Sequence, residues 1–307
     1  MREWMGDHPA LIAVVALLAP VLVSVLGLSA MTLVPDVQRA SRSLPQFSLH
    51  MPAQPSPLPT PNPEQVVPSG RAQVRVPILE YHYIRVNPDP RDRLGFNLSV
   101  TPPDFQAQMD WLKASGYHAI DLNDLRTYFY RQTPLPARPV ILTFDDGYAD
   151  FFTTAFPVLV DHGFKAVSYV VPGFLNNPRY MTTDQVRAIS GGGVEVGAHT
   201  LHHVDLTKAS AAEQNLEIQG SRSALEQITG RQVLDFCYPS GMYNAAVVAA
   251  TERAGFQSAT TEVAGTTHAW GDRLTWSRVR VNGGENLEQF VASLGQPEPT
   301  VTPSPDY

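Results

Sequence analysis

The chain has 307 residues, with 22 Lys+Arg against 29 Asp+Glu, a formal net charge of −7 and a sequence pI near 5.7. That balance argues against nucleic acid as a partner and against adhesion of the folded part to acidic lipid, both of which need basic surface. One cysteine, Cys237, excludes an intramolecular disulfide.

From Ala10 to Val34 about twenty-five residues carry no charge, enough to span roughly 30 Å of hydrocarbon as a helix. Residues 1–34 are therefore expected to be a membrane anchor or a signal segment. Leu28-Ser-Ala30 places leucine where a cleavage site wants a small residue, which favours the uncleaved anchor. Charge does not orient the span, because Arg2 is offset by Glu3 and Asp7 while Arg39 and Arg42 follow it. The short N-terminal start favours an exported body, so the expected location is the cell membrane with an extracytoplasmic domain, or the exterior if the segment is cleaved. Residues 35–72 hold nine of the chain's 27 prolines and read as an extended spacer; residues 296–307 read as a tail of the same kind.

Between them, residues 73–295 suffice for one large core. Strands are expected at 76–84, 118–122, 140–144, 166–171, 194–198, 234–238 and 257–263. Helices are expected after Thr101, with Pro102 and Pro103 in the first turn, after Asn123, across 149–162, from Thr182, from Ser210 to Thr229, from Asn244 and from Asn286. No internal repeat appears. Strand–helix alternation of this length predicts an α/β, barrel-like fold.

Two strand ends carry chemistry. The apolar run Pro139-Val-Ile-Leu-Thr-Phe144 ends in Asp145-Asp146-Gly147, and Gly193-Val-Glu-Val-Gly-Ala198 leads into His199-Thr-Leu-His-His203. Parallel α/β sheets place their sites at strand C-termini. Adjacent carboxylates repel each other when ionised and unpaired, and a divalent cation beside them removes that cost. If the turn after Ala198 is helical, His199 and His203 share a face and His202 points elsewhere. Two imidazoles and a carboxylate suit Zn²⁺ or another first-row divalent ion, with positions open for water and substrate. Taken singly, either segment is as well explained by a cap, a turn or surface histidines; found together they point to a metal-dependent hydrolase.

Thr143-Phe-Asp-Asp-Gly147 followed by His199-Thr-Leu-His-His203 resembles the first two motifs of the polysaccharide deacetylase family, carbohydrate esterase family 4, over roughly residues 74 to 294. The resemblance implies an irregular (β/α)7 barrel. It makes Asp145 the general base and Asp146, His199 and His203 the ligands of one divalent ion, Zn²⁺ first, with Co²⁺ or Ni²⁺ as alternatives; Thr200 would support the loop. Phe236-Cys-Tyr-Pro-Ser-Gly241 is similar to the family's Arg-x-Pro-x-Gly loop, which makes the Ser240 backbone N–H an oxyanion donor. Cys237 stands where the family has the arginine that pairs with the base, and Arg278 is the candidate replacement, the alternative being that Arg278 and Arg280 are ordinary strand-edge cations. No Leu-x-His follows residue 241. Instead Val76-Pro-Ile-Leu-Glu-Tyr-His-Tyr-Ile84 resembles, in its Tyr-His pair, the N-terminal segment of the poly-N-acetylglucosamine deacetylases, which makes His82 the general acid and leaves His268, in a polar stretch read as a loop, as the fallback.

The expected reaction is removal of N-acetyl groups from an extracytoplasmic glycan, such as poly-N-acetylglucosamine, a chitin-like polymer or peptidoglycan, by a monomer. Alternatives are an O-deacetylase of xylan or another acetylated polymer, and a non-catalytic, membrane-tethered glycan-binding domain. Cys237 as nucleophile is disfavoured, because no cationic neighbour is apparent to lower its pKa. Tyr81, Tyr83, Phe144, Tyr148, Phe174, Tyr238 and Trp276 are candidates for stacking on sugars, with core positions the default.

Overall fold

The computed structural model describes residues 73–89 and 91–295. The expected anchor over 1–34, the spacer over 35–72 and the tail over 296–307 lie outside the described residues. Among those described, no helix is long and apolar enough to cross a membrane.

Eight parallel strands build the main sheet: β1 (Ile78–Tyr81), β2 (His118–Ile120), β3 (Pro139–Phe144), β4 (Val167–Val170), β5 (Glu195–Ala198), β6 (Asp235–Cys237), β7 (Ser258–Ala264) and β8 (Trp276–Arg280). Seven of them close a ring in the order β1-β8-β7-β6-β5-β4-β3, sealed where Ile78–Tyr81 pairs with Ile141–Phe144. Strand β2 is left outside the ring. It pairs with β3 from Pro139 to Ile141 and yields that edge to β4 at Thr143 and Phe144. This is the α/β barrel that the alternation predicted, with the seven strands that the resemblance implied.

Helices follow the strands: α1 (Pro102–Ala114), α2 (Leu122–Arg131), α3 (Phe156–His162), α4 (Thr183–Gly191), α5 (Ala211–Thr229), α6 (Ala245–Arg253) and α7 (Leu287–Ser293). Thr101, Asp121, Thr182, Ser210, Asn244 and Asn286 each accept a first-turn backbone N–H with their side chain, which satisfies an otherwise orphaned donor and fixes where the helix begins. The expected helix over 149–162 is split, a π turn over Phe151–Ala155 preceding α3. Pro157 sits at that junction and has no N–H to give to a regular helix.

Three sequence expectations are corrected. Helix α2 begins at Leu122, capped by Asp121, rather than after Asn123. The strand expected over 76–84 is broken at His82 into Ile78–Tyr81 and Tyr83–Ile84, and the second piece leaves the barrel to pair with Ser99–Val100. Strand β8 was absent from the expected set, because Ser277, Arg278 and Arg280 hide its apolar alternation.

Side chains alternate between the two faces of each strand. One set, including Leu79, Tyr81, Leu142, Phe144, Val196 and Phe236, packs into the larger core cluster with the helices. The other, including Ile78, Ile141, Val167, Tyr169, Cys237 and Trp276, fills the barrel. At the strand N-termini, helix α2 is tied on by Arg126, which pairs with Glu195 and Asp235, while Glu195 accepts the backbone N–H of Leu122 and Asn123. The end of the barrel opposite the strand C-termini is thus closed by a buried ion network.

Candidate metal centre and active site

Alternation alone aligns the chemistry. The barrel-filling face that carries Ile78 continues to Glu80 and His82; that of Ile141 continues to Thr143 and Asp145. The faces of Gly197, Asp235 and Trp276 lead in the same way to His199, Cys237 and Arg278. A Cβ at Gly197 would lie 2.4 Å from the Tyr169 ring, so glycine there lets that ring fill the barrel beneath His199.

Asp145 leaves β3 with its backbone N–H bonded to Tyr81 O at 2.9 Å. Its carboxylate is buried and receives two parallel bonds from Arg278, Nη1 to Oδ1 and Nη2 to Oδ2, both 2.8 Å. Burial on its own would push this carboxyl up; the Arg278 guanidinium overrides burial and holds it well below the usual carboxylate range. Arg278 is itself saturated, with Nε donating to Thr261 O at 2.9 Å and Nη1 to Thr143 Oγ1 at 3.1 Å. Buried and paired with Asp145, it is not the ordinary strand-edge cation of the alternative reading.

Cys237 closes β6 and is not a loop residue without a cation: Arg278 Nη2 donates to its sulfur at 3.2 Å, and the thiol lies 3.6 Å from Asp145 Oδ2. Burial nevertheless dominates and raises its pKa well above the ordinary thiol value. A protonated thiol beside an ionised carboxylate is no nucleophile.

Asp146 follows in the left-handed region, with φ of 71°, and this turns its side chain away from Asp145. Its Oδ1 lies 3.5 Å from His199 Nε2 and 3.3 Å from His203 Nε2. The segment after Ala198 is not helical, as the i,i+4 argument required; it is an irregular turn in which Thr200 (φ 61°) and His203 (φ 56°) are left-handed. That turn, rather than a helix face, brings the imidazoles together, with ring centroids 4.9 Å apart. His202 points elsewhere and bonds Glu217.

The three residues fit a divalent cation. His199 Nδ1 faces Cys237 O at 2.7 Å, and a carbonyl only accepts, so the proton sits on Nδ1 and the lone pair of Nε2 faces Asp146. Burial first, and His199 second, lower the His203 pKa and favour its neutral form. Among the described residues Asp146 Oδ1 is buried without a hydrogen-bond donor. Ligand atoms thus converge from three residues within 4.8 Å of one another, an arrangement that a cation stabilises.

His82 joins the cluster at Asp145, with Nε2 4.0 Å from Asp145 Oδ2 and Nδ1 4.0 Å from Glu80 Oε1. Ser240 lies exposed at the rim, left-handed at φ 52°, in the turn after β6. His268 is not brought to the site. It is buried, in a short strand paired with Val74–Arg75, its Nε2 facing Val76 O at 2.9 Å, which corrects the expectation of a solvated loop.

Of the aromatic candidates, Tyr81, Phe144, Tyr238 and Trp276 are buried core. Tyr83 and Tyr148, also buried, and the half-buried Phe174 form a row with Tyr180: Tyr83–Tyr148 centroids are 3.6 Å apart, Tyr148–Tyr180 5.1 Å and Phe174–Tyr180 4.9 Å. Burial and the Asp146 carboxylate raise the Tyr148 phenol far above its ordinary pKa, so it remains a donor. Sequence reasoning passed over Tyr180 and Glu80. The signal for Glu80 was present, a lone carboxylate in an otherwise apolar strand, two residues before His82 and so on its face.

Residues 132–259 match the family model described as polysaccharide deacetylase. The Bacillus subtilis (strain 168) protein YxkH is 28% identical over 220 residues, 72% of this chain and 76% of its own length. The poly-beta-1,6-N-acetyl-D-glucosamine N-deacetylase of Escherichia coli (strain K12) is 28% identical over 142 residues, which is 41% of this chain but 21% of that enzyme. Among solved structures, the Streptococcus pyogenes deacetylase PplD, in complex with acetate, superposes with a TM-score of 0.67 at 28% identity, covering 73% of this chain and 99% of that one.

Proposed function

We propose that the chain is a metal-dependent N-deacetylase of an extracytoplasmic glycan, with poly-N-acetylglucosamine and peptidoglycan the leading substrates; the match of residues 132–259 to the polysaccharide deacetylase model and the similarity to PplD support this reading. The observation that carries the metal-dependent reading is the arrangement of two adjacent aspartates in two separate environments. Asp146 faces two imidazole lone pairs, while Asp145 is locked ionised by Arg278. We assign the first as the metal ligand and the second as the ionised base.

Asp146, His199 and His203 would hold the ion, which supplies Lewis-acid polarisation of the acetamide and acidifies the attacking water. Asp145 accepts the proton of that water. Its carboxylate is a weak base, but Arg278 keeps it unprotonated across the neutral range, so none of the enzyme is lost to a protonated base. Attack turns the acetamide carbon tetrahedral, and the Ser240 N–H is assigned to the oxygen that gains charge. An amine leaves only with a proton, and His82, 4.0 Å from Asp145 Oδ2, is assigned to give it. The products are acetate and a free amino sugar. No covalent enzyme intermediate is needed, consistent with the inert Cys237 thiol.

The partly exposed faces of Phe174 and Tyr180, at the end of the row that starts on Tyr83, support a carbohydrate substrate, since sugar rings pack on such faces. The Arg278–Asp145 pair supports a catalytic domain over a non-catalytic one, since Asp145 has an arginine partner although Cys237 stands in the place of the family's arginine. The uncharged run of residues 10–34 supports a membrane-anchored enzyme whose domain faces outward. Acetate release from poly-N-acetylglucosamine and peptidoglycan by the purified protein, with and without chelator, tests the reading. Release that is indifferent to chelator would contradict it.

A further inference from the structure

Glu80 lies on β1, two residues before His82, with 1% of its surface exposed. Burying a carboxylate so deeply costs several kcal/mol unless charged partners compensate. Two guanidiniums do so. Arg280 donates to Oε1 through Nε at 2.8 Å and Nη2 at 2.7 Å, and Arg278 Nη2 lies 3.3 Å from Oε2. Arg280 also reaches Glu262 at 3.1 Å. Charges therefore alternate from the rim inward, Glu262, Arg280, Glu80, Arg278, Asp145. Arg278 and Arg280 are two apart on β8 and share its face, so without Glu80 two cations would compete for the carboxylate of Asp145.

We propose that Glu80 is a positioning residue for the base: it neutralises and holds Arg280, and it fixes the Arg278 guanidinium in the plane that gives both Asp145 oxygens a partner. This rests on the deacetylase reading. It acts on the step in which Asp145 takes a proton from water, and not on the step in which the leaving group is protonated. His82 is 4.0 Å from Glu80, further than either guanidinium.

The two steps separate by leaving group. An acetamide needs both the base and the acid, whereas 4-nitrophenyl acetate, whose phenolate leaves unaided, needs only the base. In the full-length, Zn²⁺-loaded protein, Glu80→Gln is expected to lower kcat by about 10- to 100-fold on both 4-nitrophenyl acetate and chitin oligosaccharides, the loss typical of groups that orient a catalytic ligand. KM and Zn²⁺ stoichiometry should stay at the wild-type values. Arg280→Met, a rim residue less disruptive to fold, should lower kcat in the same pattern, and the double variant should lose no more than the worse single one, because the two act as a unit. Wild-type kcat in either single variant, losses that multiply in the double, or a loss confined to the acetamide would overturn the proposal while leaving the deacetylase reading intact. A wild-type protein inert toward both substrates would overturn both.

Discussion

Arg278→Met is the perturbation whose consequence the structure specifies most fully. The side chain makes two 2.8 Å bonds to Asp145 and bonds to Thr261 O, Thr143 Oγ1 and the Cys237 sulfur. Methionine nearly matches its length and makes none of them. Asp145 and Glu80, both buried, lose a shared cation, and breaking one side of a buried pair costs about 3–5 kcal/mol. For a domain of this size about 2–4 °C of melting temperature accompanies each kcal/mol, so Tm should fall by roughly 6–20 °C. A signature in pH separates this from generic damage. In the native protein the Asp145 carboxyl is held below its unfolded value, so its contribution to stability is present above the unfolded pKa and lost as pH falls. Without the guanidinium, burial, the strongest influence on this group, is opposed only by the weaker attraction of His82 and His199; it is expected to outweigh them and raise the folded pKa above the unfolded one, so that the variant loses stability as pH rises instead. Between about pH 5 and pH 8 wild-type Asp145 is ionised in both states and adds no slope, whereas the variant is expected to lose stability toward pH 8; urea unfolding at both values reads the difference. A variant that keeps wild-type Tm, or shows the wild-type pH slope, would refute the assignment of Arg278 as the partner of the base.

Three further outcomes are expected. Asp146→Asn should abolish Zn²⁺ binding in calorimetry while leaving the fold intact, because it weakens the only anionic donor of the three; retained stoichiometric binding would place the metal elsewhere. His82→Ala should lower acetamide turnover by about 10²–10⁴-fold, the range of a lost general acid, and cost far less on 4-nitrophenyl acetate; near-wild-type acetamide turnover would remove His82 from the mechanism. His268 has its pKa lowered by burial, only partly offset by Val76 O and Asp272. Its folded value is below its unfolded one, so it contributes stability above an unfolded pKa of about 6.5 that is lost as pH drops. His268→Gln should therefore show a smaller fall in unfolding free energy between about pH 7 and pH 5 than wild type, and equal falls would refute that reading.

Asp145 and His199 were legible as candidates because each closes an apolar run, and a strand's alternation carries its inward face straight into the loop beyond. His82 lay inside a run read as one strand over 76–84 and was named only through the resemblance. Asp146 and His203 are harder, since their aim depends on left-handed backbone at residues with a Cβ; the helical argument for His199 and His203 paired the right residues for the wrong reason. Arg278 was named only as a substitute for a missing arginine, because what fixes it is the pairing of β8 with β7 and β1, invisible to local pattern. The same blindness misplaced His268. A polar stretch looked like a solvated loop, and the strand it forms exists only through Val74 and Arg75, nearly two hundred residues earlier. The alternate charges of β8 obscured a buried strand, since Ser277, Arg278 and Arg280 read as surface until Asp145 and Glu80 are known to face them.

The most direct test is acetate release from poly-N-acetylglucosamine and chitin oligosaccharides by the full-length protein, stripped with chelator and reloaded with Zn²⁺ or Co²⁺, beside Asp145→Asn. The account predicts turnover that vanishes on chelation, returns with metal, and stays absent in an Asp145→Asn protein that still binds Zn²⁺. Turnover by the stripped enzyme, or by Asp145→Asn at the wild-type rate, would contradict it.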